Sequence, residues 1–200
     1  MATPIEFYFD FSSPYGYLAA QRIEEVVEEY QREVLWKPFL LGALFKTTGA
    51  KPLLDIPMKG DYARHDLARS ARLYDIPFVL PETFPFMSVA ACRASYWLNQ
   101  SDPEAARELI EALYDTAFGA GQSIAGPAEV AAVAERLGHD PDAVLAAVQE
   151  PRIKDLLRRE VEAAVAKGVF GSPYTIVDDQ PFWGFDRLDD VALWLEMGGW

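Results

Sequence analysis

The sequence predicts an α/β fold in which a βαβ half and a ββα half are joined by a long helical stretch. Three observations carry this reading. A strand, a helix and a second strand follow one another within about 35 residues. Two short strand runs and a helix close the chain. Between Gly60 and Lys167 the apolar spacing is helical nearly throughout, with no strand-like run of useful length.

Ile5–Phe11 (IEFYFDF) is aromatic and β-branched and reads as the first strand. Ser12-Ser13-Pro14 then offers cap residues followed by proline, which is favoured at the first helical position. Ala19, Ile23, Val26, Val27 and Tyr30 form the apolar stripe of one amphipathic helix. Glu33–Phe39 is the second strand. Leu40–Gly60 reads as irregular, with Gly42, Gly49, Pro52 and Pro57. Helical segments then begin near Asp61 and Phe86, and at Asp102-Pro103, Gly126-Pro127, Asp140-Pro141 and Glu150-Pro151. The last four carry proline in the first turn. Tyr174–Val177 and Pro181–Trp183, separated by Asp178-Asp179-Gln180, read as a hairpin. Asp186 reads as the cap of a final helix bearing Leu188, Val191, Ala192 and Leu195.

Composition limits what such a chain can do. Of 200 residues 50% are apolar and 24% charged, enough for a sizeable core. Eighteen Lys plus Arg against 31 Asp plus Glu give a net charge of −13, which argues against nucleic-acid and anionic-membrane partners, since both need clustered positive charge. One cysteine, Cys92, excludes an intramolecular disulfide framework and a CxxC pair. Met1–Ile5 lacks the pattern of a secretion signal, and no apolar run approaches the roughly 20 residues of a membrane span, so a cytoplasmic protein is expected. His65 and His139 are dispersed and, with one cysteine, make no metal-ligand pattern. His65 reads as an exposed helix residue and His139 as a turn residue. Cys92 reads as a small buried hydrophobe, and Asp10 as a structural acceptor rather than a base. Phe78–Met87 fits core packing and the wall of an aromatic pocket equally well.

The βαβ and ββα halves suggest the thioredoxin arrangement with a helical insertion. Ser13-Pro14-Tyr15-Gly16 stands where thioredoxin-fold oxidoreductases carry Cys-Pro-X-Cys, and Ser172-Pro173 where they carry a cis-proline. Locally, Ser13 reads first as a plain helix cap and only second as a hydroxyl able to donate to an anion. With FYFDFSSPYGYLA (Phe7–Ala19), the Lys-Gly of MKGDY, GVFGSPY (Gly168–Tyr174) and FWGFDRL (Phe182–Leu188), the chain resembles the 2-hydroxychromene-2-carboxylate isomerase family, glutathione-dependent enzymes related to kappa-class glutathione transferases and DsbA-like proteins.

The resemblance implies a thioredoxin-like unit of residues 1–40 and 168–200, with residues 41–167 as connecting loop and helical insertion, and a homodimer. It implies that Ser13 stabilises the thiolate of bound glutathione and is the catalytic residue. Ser172, ahead of cis Pro173, would pair through its backbone with the cysteinyl backbone, as an added strand does. Lys59 would contact glutathione, Phe185 would offer a backbone N–H, and Asp186 would hold the γ-glutamyl end. Relatives carry a small polar residue in place of Phe185 and asparagine in place of Ala50, so one polar contact is lost at each. Six basic residues (Lys46, Lys51, Lys59, Arg64, Arg69, Arg72) against Asp55, Asp61 and Asp66 leave Leu41–Arg72 at +3, suited to an anionic ligand.

The implied reaction is isomerisation of a conjugated aromatic carboxylate by thiolate addition, bond rotation and elimination. A kappa-like transferase releasing the conjugate, or a non-catalytic peptide-binding module, are the alternatives. Disulfide exchange is excluded, because neither Ser13 nor Gly16 has a thiol.

Overall fold

Strand β1 (Ile5–Phe9) is flanked by both of its sheet neighbours, so the rest of the architecture is built on it. In the computed structural model, which describes residues 3–200 and leaves the side chains of Lys46 and Thr47 outside the described residues, the sheet has four strands in the order β2-β1-β3-β4. Strand β2 (Val34–Pro38) runs parallel to β1, with Phe7 opposite Trp36. Strands β3 (Tyr174–Val177) and β4 (Gln180–Trp183) add antiparallel, with Tyr8 opposite Tyr174 and Tyr174 opposite Trp183. Asp178 and Asp179 make the hairpin turn with φ of 48° and 64°, the left-handed pair that matches strand twist.

The stretch expected as one helix after β1 is two, α1 (Pro14–Ala20) and α2 (Ile23–Glu28). The break has a local cause. The Arg22 N–H donates to Ala19 O, tightening the turn to i→i+3, and the Arg22 guanidinium lies 3.8 Å from the Tyr74 ring centroid. Leu40–Gly60, expected to be irregular, contains a helix, α3 (Leu41–Thr48). Leu41, Leu44 and Phe45 supply an apolar face, and Gly49 closes it at φ 70°. A 3-10 turn at Leu53–Asp55 leads into α4 (Lys59–Leu73).

The remaining insertion is α5 (Val89–Asn99), α6 (Pro103–Tyr114), a π-turn at Asp115–Gly119, α7 (Pro127–Arg136), α8 (Pro141–Ala147) and α9 (Pro151–Ala166). Helices α6 to α9 each have proline in the first turn, where no N–H is needed. Asp102 and Asp140 accept from Ala105 N and Asp142 N, completing two of those caps. Helix α10 (Leu188–Met197) ends the chain.

An aromatic chain joins sheet to insertion. Phe7, Phe9, Phe11, Tyr17, Tyr114 and Phe118 are buried, with successive ring centroids such as Phe9–Phe11 at 5.3 Å and Phe11–Tyr114 at 5.1 Å. Such pairs add about 0.5–1.5 kcal/mol each beyond their buried area. Phe78, Phe84 and Phe86 close on Phe118, so these rings of the Phe78–Met87 segment serve the core. Among the described residues, no helix is long and apolar enough to cross a membrane.

Candidate active site

The site forms where β1 ends. Asp10 leaves the strand, and the Ser13 N–H donates back to Asp10 O at 2.8 Å, which turns the chain into α1. Ser13 is extended (φ −98°, ψ 111°) and caps α1: its Oγ accepts the Gly16 N–H at 3.0 Å, and Pro14 holds the first helical position. The Ser13 hydroxyl hydrogen goes elsewhere, to Ser172 O at 2.9 Å. The motif at the start of α1 and the Ser172-Pro173 segment, 159 residues apart, therefore meet in one hydrogen bond.

The Ser172-Pro173 peptide is cis. The Gly184 N–H donates to Pro173 O at 3.1 Å, which sets the Phe185–Arg187 turn beside it. Phe185 is buried, its ring edge-on to Tyr74 at 5.4 Å. Asp186, expected as the cap of the last helix, is not one: α10 starts after Arg187 without a side-chain cap bond, because the preceding 3-10 turn already leads the chain into the helix. Asp186 is exposed, with its carboxylate 3.5 Å from Arg187. Among the described residues, the N–H groups of Tyr15, Ser172 and Phe185 have no hydrogen-bond partner.

Lys59 opens α4 and is exposed. It lines a cavity of about 360 Å³ with Tyr15, Leu53, Met58, Tyr62 and Ala63. Tyr15, two residues after Ser13, thus links this cavity to the start of α1. Its hydroxyl donates to Asp66 at 2.7 Å, and burial together with that carboxylate pushes its pKa up. Asp66 in turn pairs with Arg69, which donates to the Tyr62 hydroxyl at 2.8 Å. Among the described residues, Lys59, Arg64 and Arg72 enter no ion pair, so part of the positive excess of this region is free. Sequence reasoning singled out Lys59 but not the Tyr15 and Tyr62 rings. Tyr15 stood inside the motif and could have been found; the helical spacing of Tyr62 carries no such signal.

Behind Ser13 lies a buried support. The Asp10 carboxylate accepts from Ser12 N, Ser12 Oγ, Ser88 Oγ and Leu41 N at 2.7–2.9 Å, and burial pushes its pKa up against those four donors. It acts as the acceptor the sequence suggested. The Tyr114 hydroxyl donates to Asp10 O at 2.9 Å, a contact across 104 residues that no local pattern announces.

Gly16 explains itself by crowding. A β-carbon there would stand 2.6 Å from the Tyr114 hydroxyl, 2.9 Å from Ser172 Oγ and 3.1 Å from Ser13 Cβ. Gly16→Ala is expected to cost about 1–3 kcal/mol through overpacking, a fall in Tm of roughly 2–12 °C at this chain length. Calorimetry checks it: an unchanged Tm means that the three neighbours yield freely.

The family model for DSBA-like thioredoxin domains matches residues 4–196. The chain belongs to this family. As a DSBA-like domain it is 32% identical to a 2-hydroxychromene-2-carboxylate isomerase of Sphingobium xenophagum, over 98% of this chain and 99% of the relative. It is 28% identical to glutathione S-transferase kappa 2 of Caenorhabditis elegans, over 96% of this chain and 91% of the relative. A solved 2-hydroxychromene-2-carboxylate isomerase superposes with a TM-score of 0.87 at 29% identity, covering 98% of this chain and 95% of that one. The cysteine of this DSBA-like domain lies outside the junction. Cys92 is buried in α5, its thiol 3.8 Å from Phe39 O and pushed well up in pKa by burial. It is a core residue.

Proposed function

We propose that this chain is a glutathione-dependent isomerase of a conjugated aromatic carboxylate, of the 2-hydroxychromene-2-carboxylate isomerase kind. The single observation that carries the reading is the meeting of the Ser13 hydroxyl with the Ser172 carbonyl at 2.9 Å, at the start of α1 and with no thiol in either residue. Relatives named as isomerases and kappa-class transferases at about 30% identity over nearly the whole chain support it.

The residues present fit the tripeptide. Ser172 has a free N–H and a carbonyl held only by a hydroxyl, a pair that suits an extended peptide backbone. The free N–H of Phe185 and the exposed carboxylate of Asp186 suit the carboxylate and ammonium of a γ-glutamyl group. Lys59 supplies a cation for a further carboxylate. When bound, glutathione supplies a thiolate that adds to the conjugated substrate and is eliminated after bond rotation.

The chain's own part is to hold and ionise that sulfur. An amide N–H that pairs with the Ser172 carbonyl satisfies that oxygen, so the Ser13 O–H can leave it and turn outward. There it stabilises an anion together with the free Tyr15 N–H. The half-open cavity beside Tyr15 gives apolar surface for orientation. In this reading the protein works in the cytoplasm as a homodimer, the dimer being what the sequence resemblance implies.

The similarity to a kappa-class transferase favours a second reading, in which the conjugate is released. One experiment separates the two. Glutathione binding is measured by calorimetry, and a 2-hydroxychromene-2-carboxylate is then incubated with the protein, with and without glutathione. The expected result is micromolar to millimolar binding, and geometric isomerisation only when glutathione is present. A stable conjugate turns the assignment to the transferase, and absence of binding leaves a peptide-binding module.

A further inference from the structure

Hydroxyls of Tyr114, Ser13 and Ser172 meet around Gly16, and their hydrogens can be followed one by one. The Tyr114 hydroxyl spends its hydrogen on Asp10 O. The Ser13 hydroxyl spends its own on Ser172 O and accepts the Gly16 N–H. Ser172 Oγ differs, for it accepts the Asp10 N–H at 2.9 Å, and among the described residues its hydrogen meets no acceptor. The Asp10 amide thus fixes the oxygen while leaving the donor unspent.

Position favours the same group. Ser172 Oγ and Ser13 Cβ stand 2.9 and 3.1 Å from one point, the place a side chain at Gly16 would occupy. Both serines therefore border Gly16, together with the Tyr114 hydroxyl at 2.6 Å, and the absence of a side chain there leaves room for all three.

We propose that the Ser172 hydroxyl is a second hydrogen-bond donor to the sulfur of bound glutathione, beside that of Ser13. The assignment rests on the glutathione reading above and adds a side-chain role to a residue whose backbone alone was assigned. It also divides the work between the serines. Ser13 must first release the Ser172 carbonyl before it can reach a sulfur, whereas Ser172 needs no exchange. Two donors hold a thiolate further below its ordinary pKa than one does.

The test is an ultraviolet titration of the thiolate of glutathione bound to wild type, Ser172→Ala and Ser172→Thr. Calorimetric affinity at pH 6 and a thermal melt accompany it. In Ser172→Ala the bound thiol is expected to titrate about one pH unit higher. Affinity at pH 6, where the sulfur is largely protonated, stays within about threefold because the backbone grip remains. Ser172→Thr, which keeps the hydroxyl, restores the wild-type titration. A purely structural role would lower Tm and leave the bound thiol where it was. If wild type depresses the bound thiol and Ser172→Ala leaves that value unchanged, the assignment is overturned. If wild type binds no glutathione, it is the proposed function that fails, a result the wild-type arm alone reveals.

Discussion

Ser13→Ala is expected to bind glutathione and to turn substrate over roughly 10²-fold more slowly at pH 7, the usual scale for loss of one positioned donor to a developing anion. The deficit should shrink as pH rises. With the hydroxyl present the bound thiol is held down toward about 7, and without it the value rises by about one pH unit, the other donors remaining. At neutral pH the thiolate fraction then falls from about half to about a tenth, and alkaline pH restores it. The substitution also removes the α1 cap, since Ser13 Oγ no longer accepts the Gly16 N–H. That loss is worth about 1 kcal/mol and lowers Tm by about 2–4 °C.

Ser13→Gly separates the two roles, because glycine caps a helix nearly as well as serine. It should keep most of the stability and share the loss of turnover. A pH–rate profile for each variant is the measurement. Equal turnover of wild type and Ser13→Ala at pH 7 would remove Ser13 from the chemistry and leave it a cap.

What the sequence made legible is what depends on neighbours in the chain. Ser13-Pro14, the four proline-led helices and the Asp178-Asp179 turn are each fixed by caps and allowed φ values within a few residues. The strands of β1 and β3 could be read because they are buried and rich in β-branched or aromatic residues. Helix α3 escaped because the glycines and prolines of Leu40–Gly60 read as loop, although Gly42 meets no crowding, Gly49 only ends the helix, and Pro52 and Pro57 follow it. The interruption after Ala20 escaped because the apolar stripe continues on both sides of it, and the i→i+3 turn of Arg22 onto Ala19 leaves no mark in apolar spacing.

For the candidate site the division is similar. Ser13 and Ser172-Pro173 could be marked from motifs, yet their bond spans 159 residues. Tyr114 and Ser88, which complete the support behind them, stand on α6 and at the start of α5, where nothing in their spacing differs from ordinary core. Side-chain partnership at such separations is a product of tertiary packing. Residues that set the backbone locally, as caps, first-turn prolines or turn residues, leave a trace in the sequence.

Asp10→Leu is expected to be the most destabilising single change at this junction. The substitution keeps the number and branching of side-chain heavy atoms and adds bulk, so a cavity is not the mechanism. It also removes the cost of burying a carboxylate, and replacing a buried ionic group by an apolar one can be neutral when all partners change together. Here they do not. The N–H groups of Ser12 and Leu41 and the hydroxyls of Ser12 and Ser88 all remain, each having lost its acceptor. Serine hydroxyls can rotate toward other acceptors, whereas backbone N–H groups cannot.

Each unpaired buried donor costs about 1–3 kcal/mol, so a loss of about 4 kcal/mol or more is expected, and a fall in Tm of about 10–15 °C. Asp10→Asn should lie between the two. Its amide oxygen can keep the three donors at Oδ1, but its NH₂ then faces the Leu41 N–H, which had donated to Oδ2 at 2.7 Å. The order of melting temperatures, wild type above Asp10→Asn above Asp10→Leu, is read by calorimetry. An Asp10→Leu variant melting within about 3 °C of wild type would show that the loop from β1 to α1 is fixed by its backbone bonds alone. In that case the hold of Asp10 on α3 and α5, through Leu41 and Ser88, would be incidental to where Ser13 stands.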